Sequence, residues 1–172
     1  MDQDTELARR AAAGDAAAFT SLVRAHEGAV RRFLARLARG EGADDLAQEV
    51  FLKAWRRAGD WRGEGSYRGW LLRIAWTTFI GAHRAKGRQQ AREQAAFEQQ
   101  SDVRRDADCA IDLSRALAGL GTRERAAALL CFGEGCSHGE AARIMELPLG
   151  TLKSIVARAR AALVERLETI HD

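Results

Sequence analysis

The chain has 172 residues, of which 47% are apolar and 30% charged, and Pro148 is its one proline. This length suits one medium or two small domains, and abundant alanine, leucine and arginine favour an all-α protein of two small helical domains over a sheet protein. No run approaches about eighteen consecutive apolar residues, and no apolar segment follows the charged amino terminus, which excludes a membrane span and a secretion signal. We therefore predict a cytoplasmic protein without direct membrane insertion.

The net charge of +3 is unevenly distributed along the chain. Residues 53–92 hold ten lysines and arginines against two acids, Asp60 and Glu64, a local excess of eight, so the remaining residues carry minus five. Such asymmetry indicates that one part of the molecule binds a polyanion. A merely solvated basic face is the alternative on charge alone.

The three cysteines, Cys109, Cys131 and Cys136, are an odd count that does not form a disulfide framework. Cys131, Cys136 and His138 could serve as three metal ligands, but a fourth is missing, so small core residues are the favoured interpretation. We predict no metal and no cofactor. The chain also shows no nucleophile, acid–base pair or phosphate-binding loop with usable spacing, and we predict that it is not an enzyme.

The amino-terminal residues predict two helices. Asp4 can cap a short helix that ends at Gly14, and Asp15 can cap a longer one. The longer helix has one apolar face whose members recur every three or four residues: Phe19, Leu22, Val23, His26, Val30, Phe33, Leu34 and Leu37. His26 lies on this face, where a hydrogen-bonded core histidine is the favoured interpretation.

Asp44 is the predicted cap of the next helix, which has an apolar and a polar side. The apolar arc comprises Leu46, Ala47, Val50, Phe51, Ala54 and Trp55, and the polar side comprises Asp45, Gln48, Glu49, Lys53 and Arg56. Leu52 falls in the middle of the polar side. It is either an ordinary exposed leucine or the centre of a protein contact with a polar rim, and the helical wheel favours neither.

A glycine-punctuated loop holds Trp61 and Arg62 between Gly59 and Gly65. A tryptophan in such a loop either packs back onto the core or meets a ligand. The following helix, residues 66–84, is predicted to direct one face inward: Tyr67, Leu71, Ile74, Ala75 and Thr78. A second face carries Arg73, Trp76, Thr77, Ile80 and Arg84. Arginine, tryptophan and threonine together are typical of nucleic-acid contacts, with Trp76 as a second core residue the alternative.

Residues 85–108 have hardly any apolar periodicity and predict a flexible or partly helical linker before the second domain. In that domain Ser137 and Glu140 form a capping box, and Pro148 follows the short helix that they begin, so a short helix, a turn and a longer helix predict a helix-turn-helix. The longer helix directs Leu152, Val156, Ala159 and Leu163 inward. Its outer side combines small residues and cations: Thr151, Lys153, Ser154, Ala157, Arg158, Arg160 and Ala161. Small residues allow close approach to a DNA major groove, and the cations reach phosphates.

Three runs in this order, DDLAQEVFLKAW, RGEGSYRGWLLRIA and SHGEAARIMELPLGTLKSIVARARAAL, resemble the bacterial extracytoplasmic-function (ECF) sigma factors, the short alternative sigma subunits of RNA polymerase in the sigma-70 family. The resemblance covers nearly the whole chain. It implies that residues 1–90 dock on core polymerase and melt the −10 promoter element, that residues 91–108 are a flexible linker, and that residues 109–172 read the −35 element. It also implies control by an anti-sigma factor, a partner that is often membrane-anchored in this family.

Carried over position by position, the resemblance assigns three sets of site residues. The set that would meet the clamp coiled coil of core polymerase is Asp45, Leu46, Gln48, Glu49 and Leu52, which favours the contact interpretation of Leu52. The set that would hold the unpaired −10 strand is Trp61, Arg62, Ser66, Arg73, Trp76, Thr77 and Arg84. The set that would contact the −35 element is Thr151, Lys153, Ser154, Arg158 and Arg160.

Some positions depart from the family pattern. Trp76 and Thr77 stand where an arginine or another polar residue and then an asparagine are frequent. Gly81 stands near a frequent aspartate, and Ile155 stands where an arginine is frequent. These departures affect which promoter sequence is expected, not the class of protein. Without an arginine at position 155, recognition of the −35 element would depend on the remaining cations of the last helix.

Two functions are consistent with the residues alone. The first is a sigma subunit without catalysis of its own, and the second is a free-standing helix-turn-helix regulator whose first domain mediates dimerisation or sensing. Binding to core polymerase distinguishes them, because only the sigma subunit requires it.

Overall fold

The computed structural model describes the backbone of residues 3–94 and 115–171 and the side chains of residues 3–90 and 115–166. Every regular element within these ranges is helical, which confirms the predicted all-α fold. None of the helices described there combines the length and the apolar character needed to cross a membrane. Residues 95–108 of the predicted linker and Cys109 lie outside the described residues.

The helices fall into two groups along the chain. The first group contains α1 (Gln3–Ala12), α2 (Ala16–Leu37), α3 (Ala43–Arg56), a 3-10 turn (Ala58–Asp60) and α4 (Tyr67–Gln94). The second contains α5 (Thr122–Ala128), a π-helical turn (Leu129–Gly133), α6 (His138–Met145) and α7 (Leu149–His171).

The boundary between α1 and α2 follows from Asp15. Its carboxylate accepts hydrogen bonds from the backbone N–H groups of Ala17 and Ala18, each at 3.0 Å, and so caps α2 as predicted. Asp4 does not cap α1: it lies inside the first turn, and its carboxylate lies 2.8 Å from Nε2 of His26. This contact joins α1 to α2, and it confirms His26 as a hydrogen-bonded residue of the packed face.

The start of α3 differs from the prediction. Ala43 is its first residue, and Gly42, with a φ of +61°, occupies the cap position without a side-chain hydrogen bond. Asp44 lies inside the first turn, where its charge is favourable at the positive end of the helix dipole, and it accepts a hydrogen bond from Arg31 Nη1 at 2.6 Å. The prediction of Asp44 as the cap is wrong, because a left-handed glycine already turns the chain there.

The helix α4 is longer and more central than predicted. Ser66 Oγ accepts a hydrogen bond from the Gly69 N–H at 3.0 Å at its start, and the helix continues to Gln94, so it includes residues 85–94 of the predicted linker. It packs against α1, α2, α3 and α6. Buried residues therefore cover most of its circumference: Tyr67, Leu71, Leu72, Ile74, Ala75, Trp76, Thr78 and Phe79.

The helix-turn-helix of the second domain forms around its predicted capping box. Ser137 Oγ accepts a hydrogen bond from the Glu140 N–H at 3.3 Å, and the Glu140 carboxylate accepts one from the Ser137 N–H at 2.9 Å. Glu146, with a φ of +55°, ends α6, and α7 begins directly after Pro148. The buried side of α7 comprises Leu152, Val156, Ala159 and Leu163, as predicted, and Ile155 in addition.

The two domains pack against each other and share one continuous apolar core. Arg125 of α5 is 5% exposed. Its guanidinium donates hydrogen bonds to the carbonyl oxygens of Leu117 and Leu120 at 2.8 Å, of Ala118 at 3.2 Å, and of Leu37 at the end of α2 at 3.2 Å. These acceptors compensate for the burial of the cation, which lowers its pKa. Arg125 therefore connects the second domain to the first.

Candidate protein and nucleic-acid interfaces

The outer face of α3 presents the residues predicted to meet RNA polymerase. Leu52 is 56% exposed, which confirms its predicted place outside the core. The other members of the predicted set are Asp45, Gln48 and Glu49, which are exposed, and Leu46, which is half-buried. Next to Leu52, Lys53 Nζ lies 2.6 Å from Glu49 Oε1 and donates a hydrogen bond to Thr78 Oγ1 at 3.1 Å. Trp55, three residues after Leu52, is 37% exposed. The face thus combines accessible apolar surface with polar and charged side chains, which suits a protein contact.

One side of this α3 face lines a groove of about 1060 Å³ between the two domains. Asp45, Leu46 and Glu49 belong to one wall, and residues 120–122 and Arg125 of the second domain belong to the other. Leu52 is not part of the groove lining and remains accessible in this arrangement.

A second cavity, of about 390 Å³, lies beside the loop that joins α3 to α4, and we call it the α4 hollow. It brings together four of the residues predicted to hold the −10 strand: Trp61, Arg62, Arg73 and Thr77. The Trp61 ring packs edge-on against Tyr67, with the ring centroids 5.4 Å apart. Burial, with the nearby Asp4 charge, raises the pKa of Tyr67 to about 12. Trp61 therefore packs on the core and also lines the hollow.

Six residues that line the α4 hollow were not in the predicted −10 set: Arg57, Asp60, Glu64, Trp70, Ile74 and Glu146. Helical spacing could have indicated Trp70, which lies three residues before Arg73 on the same face of α4. Glu146 comes from the second domain, at the end of α6. Arg73 donates to Glu146 Oε1 through Nε at 3.1 Å and through Nη2 at 2.7 Å. The two residues are 73 positions apart in the chain, so no local pattern indicates this pair.

The other predicted −10 residues lie elsewhere. Ser66 is at the start of α4, and Arg84 is exposed farther along the helix, outside the lining of the hollow. Trp76 is 6% exposed and stacks on Phe79, with the ring centroids 6.4 Å apart. Because α4 has helices on several sides, its second face is also covered, and Trp76 belongs to the core. Its predicted contact with the −10 strand is wrong.

The residues predicted to contact the −35 element are all exposed on α7: Thr151, Lys153, Ser154, Arg158 and Arg160. By helical geometry the centre of the exposed arc carries small side chains: Ser154, Ala157 and Ala161. One edge of the arc carries Thr151 and Arg158, and the other carries Lys153 and Arg160. Small side chains at the centre of the arc, with cations along both edges, suit insertion of a helix into a DNA major groove.

Two further observations concern this α7 surface. Arg158 Nε lies 3.4 Å from Glu124 Oε1 in an exposed ion pair, which contributes little in water and can be exchanged for a phosphate contact at small cost. Ile155 is 4% exposed, so the position where the family often has arginine belongs to the core of this chain. The cations of this surface therefore lie along the two edges of the exposed arc of α7.

The cysteines within the described residues behave as core side chains. Cys136 is 7% exposed, and Cys131 packs against the core. Burial raises the pKa of both thiols, that of Cys136 to about 11. A thiol that keeps its proton is a poor nucleophile and a poor metal ligand, which supports the interpretation of both as small core residues.

The fold is that of a two-domain, all-helical protein with a carboxy-terminal helix-turn-helix, a motif typical of DNA-binding proteins. The family model described as Sigma-70 region 2 matches residues 22–89, and the model described as Sigma-70, region 4 matches residues 110–163. The ECF RNA polymerase sigma factor SigM of Mycobacterium tuberculosis is 36% identical over 167 residues, which cover 95% of this chain and 84% of the relative.

Two solved structures are similar along most of the chain. The sigma factor RpoE of Bartonella quintana, in complex with the anti-sigma factor NepR, has a TM-score of 0.76 and 28% identity and covers 87% of this chain and 96% of its own. CnrH, in complex with the cytosolic domain of CnrY, has a TM-score of 0.74 and 27% identity, and the match covers 98% of this chain and 99% of CnrH. The chain belongs to the ECF sigma factors of the sigma-70 family, which act in transcription initiation. The sigma-factor interpretation is therefore favoured over the free-standing regulator.

Proposed function

We propose that this sigma factor uses three separate surfaces when it directs RNA polymerase to its promoters. The exposed face of α3 meets the clamp coiled coil of core polymerase, the α4 hollow holds the unpaired −10 strand, and the outer side of α7 reads the −35 element. The first two surfaces lie in residues 1–90, apart from Glu146 at the rim of the hollow, and the third lies in residues 109–172. The observation that carries the proposal is the convergence of Trp61, Arg62, Arg73 and Thr77 in one hollow. The protein supplies promoter specificity and no catalysis of its own.

The α3 face supports the polymerase contact because an apolar side chain with a polar surround is the usual anatomy of a protein interface. Leu52 supplies the apolar centre, and Gln48 and Glu49 precede it by four and three residues on the same side of the helix. Since Leu52 is 56% exposed in the free chain, burying its remaining apolar surface in a partner is favourable.

The α4 hollow supports capture of an extruded base. Removing a base from the duplex stack costs on the order of a few kcal/mol, which stacking on an aromatic ring and hydrogen bonds in a pocket can offset. The hollow has the volume of a small-ligand pocket and includes Trp61 and Trp70, while Arg62 and Arg73 supply charge for the adjoining phosphates.

The α7 surface gives a prediction for −35 recognition. We expect Arg158→Ala to weaken promoter binding by the polymerase holoenzyme by at least about fivefold if the guanidinium reads a base. If it contacts a phosphate, the slope of log affinity against log salt should fall by about 0.9. Filter binding or anisotropy over a salt series measures both quantities. Arg9→Ala is the matched control, because Arg9 also forms an exposed ion pair, with Glu6 on α1. Equal behaviour of the two variants would contradict the assignment of α7.

An anti-sigma factor is the third proposed partner, beside core polymerase and promoter DNA. Support comes from RpoE, which is captured with the anti-sigma factor NepR, and from CnrH, which is captured with the cytosolic domain of CnrY. A cytosolic domain in the CnrY complex supports the further proposal that the anti-sigma factor of this chain is membrane-anchored while the chain itself stays in the cytoplasm.

Transcription reconstituted with core polymerase tests the proposed function. Purified core is combined with the chain and with fragments of genomic DNA, and the transcript 5′ ends are mapped. We expect new start sites that share sequence elements at two fixed upstream distances. The proposal fails if the chain binds DNA tightly by itself but neither co-purifies with core nor produces new start sites.

A further inference from the structure

The amino-terminal helix α1 has no part in the three proposed surfaces, yet it packs against elements that form the α4 hollow. It contacts α2, α4 and the 3-10 turn, whose Asp60 lines the hollow and directly precedes Trp61. Ala8 and Ala11 of α1 are buried, and so is Ala58 of the turn. Alanines therefore occupy the packed sides of both elements, which allows their close approach.

One polar contact fixes α1 on α2. Oδ2 of Asp4 lies 2.8 Å from Nε2 of His26, and the two side chains are 23% and 14% exposed. A hydrogen bond to a carboxylate that is sheltered from water is stronger than an exposed one. Removing one partner would leave the other sheltered and unpaired, so the two side chains hold each other in place.

Aromatic contacts continue from His26 into the hollow. The centroid of the His26 ring lies 5.8 Å from that of Tyr67, and the centroid of the Tyr67 ring lies 5.4 Å from that of Trp61. Tyr67 is 2% exposed, and its pKa is raised by burial and then by the charge of Asp4, which is consistent with a carboxylate close to the phenol. Three successive direct contacts thus join Asp4 to Trp61.

Trp61 depends on such support because its own segment is a loop. Residues 61–66 form no regular helix, and Gly63 and Gly65 adopt left-handed conformations with φ of +81° and +76°. Trp70, the other tryptophan of the hollow, is held by the backbone of α4. A ring that is fixed before a ligand arrives loses less freedom on binding. The contacts behind the Trp61 ring therefore determine how well it can stack on a base.

We propose that Asp4 and His26 are positioning residues of the α4 hollow. Their hydrogen bond holds the His26 ring against Tyr67, and Tyr67 in turn supports the Trp61 ring for stacking on an unpaired base of the −10 strand. The helix α1 thereby contributes to DNA binding although none of its residues lines the hollow. This inference rests on the proposed role of the α4 hollow.

The test uses holoenzyme reconstituted from core polymerase and the full-length chain. It measures binding to a fluorescein-labelled single strand that carries the −10 element of a mapped promoter. Asp4→Ala should weaken this binding by about 3- to 10-fold, a part of what stacking one base on an aromatic ring contributes. An affinity equal to that of the wild type would overturn the inference.

Asp4→Asn is the conservative variant. Its amide oxygen can accept the same hydrogen bond from His26, so it should bind the −10 strand nearly as the wild type does. Both substitutions of Asp4 remove one negative charge, and their difference therefore isolates the hydrogen bond. Equal weakening in the two variants would show that charge alone matters and would also overturn the inference.

Asp15→Ala is the control for general stability. It removes the side-chain cap of α2 and one negative charge, so the thermal midpoint should fall while the affinity for the −10 strand stays unchanged. Asp4→Ala should also leave holoenzyme binding to a duplex with only the −35 element unchanged. Equal losses of −10 binding in Asp15→Ala and Asp4→Ala would reduce the role of Asp4 to stability.

Trp61→Ala separates this inference from the proposed function. It should weaken binding to the −10 strand, and Asp4→Ala should add little in this background, because the ring that it positions is gone. Fully additive losses would show that Asp4 acts away from Trp61. If Trp61→Ala weakens binding but Asp4→Ala does not, positioning by α1 is overturned and the role of the hollow stands. If Trp61→Ala has no effect, the role of Trp61 in DNA binding fails, and its positioning fails with it.

Discussion

Replacing Leu52 by aspartate is expected to weaken binding to core RNA polymerase by on the order of 30-fold or more, the loss typical of an apolar residue at the centre of an interface. The substitution removes the apolar centre of the α3 face and adds a charge that would be buried without a partner in the complex. Leu52 is 56% exposed in the free chain, so the fold should not depend on it. Surface-immobilised core polymerase with the chain in solution measures the affinity directly.

The control for Leu52→Asp is Ala25→Asp, which adds the same charge at an exposed position of α2. The control should bind polymerase as the wild type does, and both variants should keep the helical circular-dichroism spectrum and a similar thermal midpoint. A large loss of helicity in Leu52→Asp alone would show that the leucine is a core residue, and an unchanged affinity would remove α3 from the polymerase interface.

Truncating Trp76 to alanine is expected to lower the free energy of unfolding by about 3–5 kcal/mol, the cost of deleting a large buried aromatic side chain. Trp76 is 6% exposed and stacks on Phe79, so its removal leaves a cavity beside α4. Trp76→Phe should recover much of this loss, because it retains an aromatic ring in the same place. Urea denaturation followed by tryptophan fluorescence reports on the first domain, which holds all four tryptophans.

The same variants distinguish a core tryptophan from a DNA-facing one. A residue that stacks on an unpaired base would lose about 1–3 kcal/mol of binding energy per base when truncated, with little change in stability. Trp76→Ala with wild-type stability and weakened binding to single-stranded DNA would therefore contradict its place in the core. The stable variant Trp76→Phe should bind the DNA as the wild type does.

Features that depend on local residues could be predicted from the sequence. The exposure of Leu52 follows from the spacing of its neighbours on one helix, and the start of α6 follows from the reciprocal hydrogen bonds of Ser137 and Glu140. The same holds for α7, whose periodicity separates the buried Leu152 from the exposed Arg158. In each case the determining contacts lie within one or two helical turns.

Features that depend on how the helices surround one another could not be predicted in this way. Trp76 is buried because α4 has neighbours on several sides, and periodicity gives the direction of a side chain but not what covers it. The start of α3 depends on the left-handed conformation of Gly42, which competes with the side-chain cap that Asp44 offers. Arg73 and Glu146 meet only because two domains close on each other, so the pair is visible only in the folded chain.

Permanganate footprinting of a promoter bound by the reconstituted holoenzyme tests the central claim most directly, because the reagent modifies unpaired thymines. The promoter is one of those found by mapping transcripts, and core polymerase, the chain and the Arg73→Ala variant are compared on it. We expect reactive thymines in the −10 element only when the chain and core are both present, and weaker reactivity with Arg73→Ala. Thymines that stay unreactive with the complete holoenzyme, or that react equally with either component alone, would contradict this chain's role as the sigma subunit that opens the −10 element.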